Sequence, residues 1–312
     1  MKNTPFIAVT SQPVPYHADT TAIFNTLCKQ NSNSLLLDSA EIGSKNSLQS
    51  LILINASVKI TCLGNQVTFR ALNANGKQVL KEIHPVLSQL GTVSEVNFDN
   101  EFSVQFTPLD NQLDEDSKLQ AATIFDGLRV ISNHYQHSST PVFLGGLFAY
   151  DLVANFIPMQ GVELKDDGIN CPDYSFYLAE NLITIDHQSQ QATLKSFCFS
   201  QEEQVEVAKT ALSIAQKLKN IDGVFSIKAA SDEVNTNFED PEFIGIVKAL
   251  KHHINIGDVF QIVPSRRFSL ACPNTLASYA QLKHNNPSPY MFYMNDEDFI
   301  LFGASPESAL KY

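Results

Sequence analysis

LILINASVKITCLGNQVTFRALNANG, residues 51–76, sets the class of this fold. Leu51 to Ile54, Val58 to Cys62 and Val67 to Ala71 are apolar runs of strand composition, and Gly64-Asn65 between the last two is a tight-hairpin pair. Asn75-Gly76 reads as the next turn. The stretch predicts a meander of antiparallel strands.

Working outward, the same logic places other elements. Asp19 caps a helix carrying Ile23, Phe24 and Leu27, and Leu35 to Leu37 is a short buried strand. Phe102 to Phe106 is a further strand, followed by a helix through Leu119, Ile124, Leu128 and Ile131. In PVFLGGLFAYDLV, residues 141–153, the paired glycines imply close backbone approach. A hairpin joins Leu182–Asp186 to Ala192–Phe199, and Ser200 with Glu203 forms a capping box for a helix reaching Leu218. Residues 221–239 are polar and read as a linker. Beyond them DPEFIGIVKALKHHINIG is a helix with Asp240 as N-cap, Pro241 at its first position and Gly257 as its stop. Val259, Phe260, Ile262 and Val263 then predict a short buried strand, in which Gln261 is either a satisfied core amide or a site residue. Strands and helices do not alternate strictly, which excludes a purely parallel doubly wound sheet and gives an α+β class.

Composition narrows the function. With 33 acidic and 21 basic residues, a formal net charge of −12 and no Lys/Arg cluster, the chain has no electrostatic footprint for nucleic acid or an anionic membrane. Small-molecule chemistry is the expectation. Five widely spaced cysteines without a CxxC pair read as reduced thiols of a cytoplasmic protein, with neither disulfide nor zinc site. No window approaches the ~18 apolar residues of a membrane-spanning helix, and the N-terminus does not read as an export signal. His134 and His137, and likewise His252 and His253, read as solvated histidines rather than metal ligands. The GxSxG, GxxxxGK[ST] and GxGxxG patterns are all missing.

Three runs carry a resemblance: GDVFQIVPSRRF at 257–268, NPSPYMFY at 286–293 and GASPES at 303–308. A fourth is LLLDSAEI at 35–42. In this order they resemble the chorismate-utilising enzymes, and within them the component I family of anthranilate synthases. The resemblance implies two mainly antiparallel sheets packed as a sandwich with helices around them. It also implies residues 1–220 as a regulatory sheet region and 240–312 as the start of a chorismate-binding catalytic domain, with 221–239 between them. Magnesium is implied as cofactor, with ligands beyond Tyr312 and none within this chain, so that the 312 residues read as part of a longer enzyme. The implied partner is a glutamine amidotransferase subunit that delivers ammonia.

Site residues follow from the same likeness. From spacing alone, Asp38, Ser39 and Glu41 after three leucines make either a plain Asx or Ser turn or a receptor for a ligand ammonium. The resemblance turns this into a feedback site for tryptophan comprising Ser39, Pro289, Tyr290 and Met291, with Asp38 as a supporting acid. Gln49 departs from relatives, which often carry lysine there. For catalysis the resemblance implies Gln261 and Glu307. Relatives that add water to chorismate have a lysine general base at the position of Gln261, and aminodeoxychorismate synthases also use a lysine there. An amide takes no proton at neutral pH, whereas ammonia needs positioning more than deprotonation, so Gln261 favours amination. Glu307 would protonate the departing 4-hydroxyl; by itself it also reads as a strand-end carboxylate. The alternatives are an aminodeoxychorismate or isochorismate synthase-type enzyme, or a tryptophan-binding module without chemistry. Arg266 and Arg267 are adjacent on a predicted strand, so at most one points inward, and neither is assigned.

Overall fold

A computed structural model describes residues 5–29, 31–39, 48–97, 100–110, 112–138, 140–157, 171–221 and 233–307. The chain begins with β1 (Ala8–Val14), α1 (Thr20–Cys28), β2 (Ser34–Asp38), β3 (Gln49–Leu63), β4 (Gln66–Ala71), α2 (Ala74–Leu87), β5 (Thr92–Asn97) and β6 (Glu101–Gln105). There follow α3 (Glu115–Gln120), α4 (Asp126–His134), β7 (Leu144–Phe148), β8 (Tyr174–Asp186), β9 (Gln191–Cys198) and α5 (Gln204–Lys217). The last elements are β10 (Asn235–Thr236), α6 (Asp240–Asn255), β11 (Phe268–Ser269), α7 (Thr275–Asn285), β12 (Tyr290–Asn295) and β13 (Ile300–Ser305). Two compact units result, one of residues 1–224 with 282–312 and one of residues 225–281. Residues 282–312 therefore group with the first unit rather than with 240–281.

In the first unit, eleven strands form one hydrogen-bonded network, and the described ladders are antiparallel. The network forks. The first part of β3 pairs with β2, and the end of β8 pairs with β9. The second part of β3 pairs with β4, and the start of β8 pairs with β7. One half thus runs β1-β9-β8-β3-β2-β12-β13, and the other joins β7, β8, β3, β4, β6 and β5. The α+β class holds, and the two half-sheets share β3 and β8. β3 is also one fifteen-residue strand, where sequence suggested two.

The fork sits at an irregularity. Register shifts between Leu53 and Val58 break the β3–β8 ladder, and a network of polar side chains gathers at the break. Asn55 donates to Asn181 (3.0 Å), Asn181 to Ser196 (2.8 Å), and Ser57 to the Leu178 carbonyl (3.2 Å). Glu180 accepts from Asn73 and Asn75, each at 2.9 Å, and its burial raises its pKa above the ordinary value.

Asn75-Gly76 is not a hairpin turn. Asn73 caps α2 by accepting from the Gly76 N–H (2.9 Å), and a Cβ on Gly76 would lie 1.9 Å from the Ser57 carbonyl oxygen. The glycine lets the first turn of α2 rest on β3, and Val79, Leu80, Ile83 and Leu87 are buried as the helix continues. The helix expected through 119–131 is two helices. Ala121 is extended, and Asp126 accepts from the Thr123 N–H (2.7 Å), a fresh capping signal. The other early elements stand close to expectation. Asp19 caps α1 through the Ala22 N–H (3.0 Å), Gly64 takes φ +57° in its hairpin, and a Cβ on Gly146 would meet the Ser175 carbonyl oxygen at 2.1 Å. The core holds Phe69 stacked on Phe102 (5.1 Å between ring centroids), with Ile60, Ile83, Ile131, Tyr174 and Phe199 buried in the same cluster.

The second unit is small. β10 and β11 form a two-residue ladder, and Arg266 ties it to α6 through Asp240 (2.7 Å) and through the faces of Phe243 and Phe268. Glu239 rather than Asp240 stands at the N-cap of α6, which moves Pro241 from the first to the second helical position, while Gly257 (φ +84°) follows the helix end as expected. The buried strand expected over 259–263 does not form. Phe260 is 105% exposed and Val263 78%, and none of the described strands pairs with this run. Apolar, β-branched residues favour a strand only where a neighbour supplies the ladder. Of the linker expected over 221–239, residues 222–232 lie outside the described residues.

Candidate functional site

The best-built polar cluster surrounds Asp38, the last residue of β2, which is 4% exposed. Its Oδ1 accepts from Ser50 Oγ (2.6 Å), and its Oδ2 accepts from Thr20 Oγ1 (2.7 Å) and Lys283 Nζ (2.5 Å). Lys283 Nζ also donates to Thr20 Oγ1 (2.9 Å). Local structure explains the convergence. Thr20 opens α1 directly after its cap, Ser50 faces Asp38 by continuation of the Leu37–Leu51 register, and Lys283 projects from the last turn of α7.

Behind Ser50 the chain of bonds continues. His187 Nε2 lies 2.9 Å from Ser50 Oγ, and its Nδ1 lies 3.2 Å from the Tyr16 hydroxyl. Because the Ser50 hydroxyl donates to Asp38, Nε2 is the donor to Ser50 and Nδ1 accepts from Tyr16. Burial pushes the Asp38 pKa upward, but the Lys283 charge and the bonds from Lys283, Ser50 and Thr20 outweigh it and hold the carboxyl below its ordinary range. Burial, against the pull of Asp38, lowers His187 below the ordinary imidazole value, which keeps the ring neutral.

Above this buried charge lies the end of the sheet. Met291 pairs with Asp38, and extending that register by one residue sets Ser39 opposite Tyr290. Met291 is 1% exposed and belongs to the core, whereas Tyr290 is 43% exposed and Ser39 and Pro289 are half-buried. The arrangement offers a hydroxyl and an aromatic ring at a strand end, over a carboxylate already neutralised. The fold therefore brings Asp38, Ser39, Tyr290 and Met291 together, with Pro289 next to Tyr290. Glu41 lies outside the described residues. Gln49 is exposed at the start of β3.

Other residues singled out from sequence have different surroundings. Gln261 is an exposed residue of the second unit, in an irregular segment, not in a strand core. Glu307 is exposed just after β13, where its N–H donates to Ser305 Oγ (3.3 Å). Arg266 is committed to Asp240 and two aromatic faces. His134 is not a solvated histidine: its Nε2 lies 2.9 Å from Glu82 Oε2, and Tyr135 donates to the same oxygen (3.0 Å).

Sequence reading missed Thr20, Ser50, His187 and Lys283. None of the four lies in a motif, and His187 directly follows the strand expected to end at Asp186. It also missed a second buried charge, Asp296, which accepts from Lys59 (2.7 Å) and from the Tyr177 hydroxyl and fixes the β12–β13 turn against β3 and β8. The only legible signal was a lysine inside an otherwise apolar strand run.

Against known proteins, a model described as chorismate binding enzyme matches residues 82–312. The anthranilate synthase component 1 of Haemophilus influenzae is 87% identical over 98% of the chain, and this chain spans 59% of that relative's length. Among solved structures, anthranilate synthase component I from Streptococcus pneumoniae aligns with a TM-score of 0.53 at 18% identity, over 86% of this chain and 52% of the other. The menaquinone-specific isochorismate synthase from Escherichia coli aligns at 0.52 and 14%, over 97% of this chain and 51% of the other. At those identities the structures speak for the α+β fold, whose antiparallel sheet and helices carry more than one reaction. The match over residues 82–312 does more: this chain belongs to the chorismate binding enzyme family.

Proposed function

We propose that the chain forms the regulatory region and the start of the catalytic region of an anthranilate synthase large subunit. One observation carries the reading: the 87% identity, over 98% of the chain, to a protein of that name. In the proposed reaction ammonia adds to C2 of chorismate, the 4-hydroxyl leaves as water, and the enolpyruvyl group then departs as pyruvate to give anthranilate. Ammonia would come from glutamine through a separate amidotransferase subunit; the numbered name of the relative, component 1, supports a partner component.

Gln261 supports amination over hydration. Its amide can orient ammonia, which already carries a lone pair, but it cannot deprotonate water as a lysine base does. That distinction matters because an isochorismate synthase shares the fold. Glu307 is the proposed acid for the leaving hydroxyl. Magnesium is implied by the resemblance alone; among the described residues no three His, Cys, Asp or Glu side chains gather to hold an ion.

Ser39, Pro289, Tyr290 and Met291 are the proposed tryptophan site. Tyr290 supplies an exposed aromatic face for an indole and Ser39 a hydroxyl for the polar end, while Met291 packs beneath. Calorimetric titration tests this directly. Tryptophan is expected to bind the chain saturably, and Ser39→Ala to weaken binding roughly tenfold, the scale of one hydrogen bond to a charged group. A chain that takes up no tryptophan, or that forms isochorismate when given chorismate and magnesium, breaks the reading.

A further inference from the structure

We infer that Lys283 is a positioning residue for tryptophan, acting through the buried Asp38 carboxylate and not through contact with the ligand. The inference rests on the tryptophan-site reading above. It starts from the state of Asp38. A carboxylate offers about four lone-pair positions, and here Ser50, Thr20 and Lys283 already donate into them while the residue is 4% exposed. A ligand ammonium at Asp38 would compete with an ammonium already in place, exchanging one buried ion pair for another. Asp38 is therefore the anchor beneath the site and not its ammonium receptor.

The anchor is directly coupled to the proposed contacts. Asp38 immediately precedes Ser39, and its register partner Met291 immediately follows Tyr290. The groups facing the carboxylate include Thr20 on α1, Ser50 on β3, Lys283 on α7 and Met291 on β12, with His187 and Tyr16 behind Ser50. Lys283 forms an ion pair with that carboxylate at 2.5 Å. Taking that charge away weakens what holds the buried carboxylate ionised, and favours its taking up a proton or moving toward water. Both responses rearrange the strand end that carries Ser39.

The test is tryptophan titration of the full 312-residue chain at neutral pH, with thermal melting of each variant as the folding control. Lys283→Met is expected to weaken binding on the order of tenfold, within the usual range for coupling between sites. Lys283→Arg, which keeps the charge, should recover most of it. The double variant Asp38→Asn with Lys283→Met removes both charges and should bind within about threefold of the wild type, because coupled groups are not additive. It also remains informative if Lys283→Met alone does not fold. Unchanged binding in Lys283→Met, or lost binding in a folded double variant, overturns the inference. If Ser39→Ala weakens binding in the same series, the tryptophan site itself survives that failure. If the wild type does not bind tryptophan, both fall together.

Discussion

The two units of this chain are built from similarly apolar sequence and end up physically unlike. In the first, β3 and β8 are buried along most of their length, Phe69 and Phe102 stack without solvent contact, and the charges of Asp38 and Asp296 are held inside by lysines. In the second, no residue of α6 is buried, although Phe243, Ile246, Val247, Leu250 and Ile254 recur at helical spacing. The difference separates local from non-local requirements. A helix closes its hydrogen bonds within itself, so Pro241 at its start and Gly257 at its end suffice to delimit α6. A strand needs a neighbour, and Val259 to Val263 have none among the described residues.

That contrast can be broken by measurement. Phe69→Ala should cost about 3–5 kcal/mol in urea denaturation, because it leaves a cavity in a closed aromatic pair. A loss below about 1 kcal/mol would mean that the first unit is far looser than its burial implies. Next in size is a pH effect confined to the first unit. The folded pKa of His187 is lowered from 6.5, so the stability it contributes is complete above the unfolded value and is lost as pH falls through the folded one. Asp38, also lowered, adds loss in the same direction at still lower pH. The melting temperature should therefore fall from pH 7 toward pH 5, and His187→Gln should flatten that slope; an equal slope in the variant removes His187 from the account. Smallest of all, Phe260→Ala should change stability by less than about 0.5 kcal/mol, since the ring is fully exposed. A larger cost would show that the Phe260 ring is packed against other groups and not free in solvent.

Legibility follows the same division. The Asp19 cap, the Gly64 hairpin and the β8–β9 hairpin were readable because each is decided within a few residues. The shared strands were not: a fifteen-residue β3 that serves two half-sheets looks, in sequence, like two strands separated by Asn55, Ala56 and Ser57. Asn75-Gly76 misled because the same dipeptide suits a turn and a close helix–strand contact, and only Ser57 distinguishes them. At the candidate site the surface residues Ser39 and Tyr290 were named from sequence, along with Asp38. The partners that give Asp38 its character were not, since Thr20, Ser50, His187 and Lys283 come from four distant segments and each reads as ordinary by itself.

The fork at β3 also bears on how the chain is made. β3 emerges from the ribosome well before β8, and β2 waits longer still for β12, so neither half-sheet can close while the first hundred residues are being synthesised. Until then a long run of Leu, Ile and Val edges stays unpaired, the kind of segment that chaperones cover and that aggregates when they do not. Because both halves depend on one ladder, they should be gained together only once β8 has been made, and a chain stopped between β3 and β8 should persist only as a bound or insoluble species.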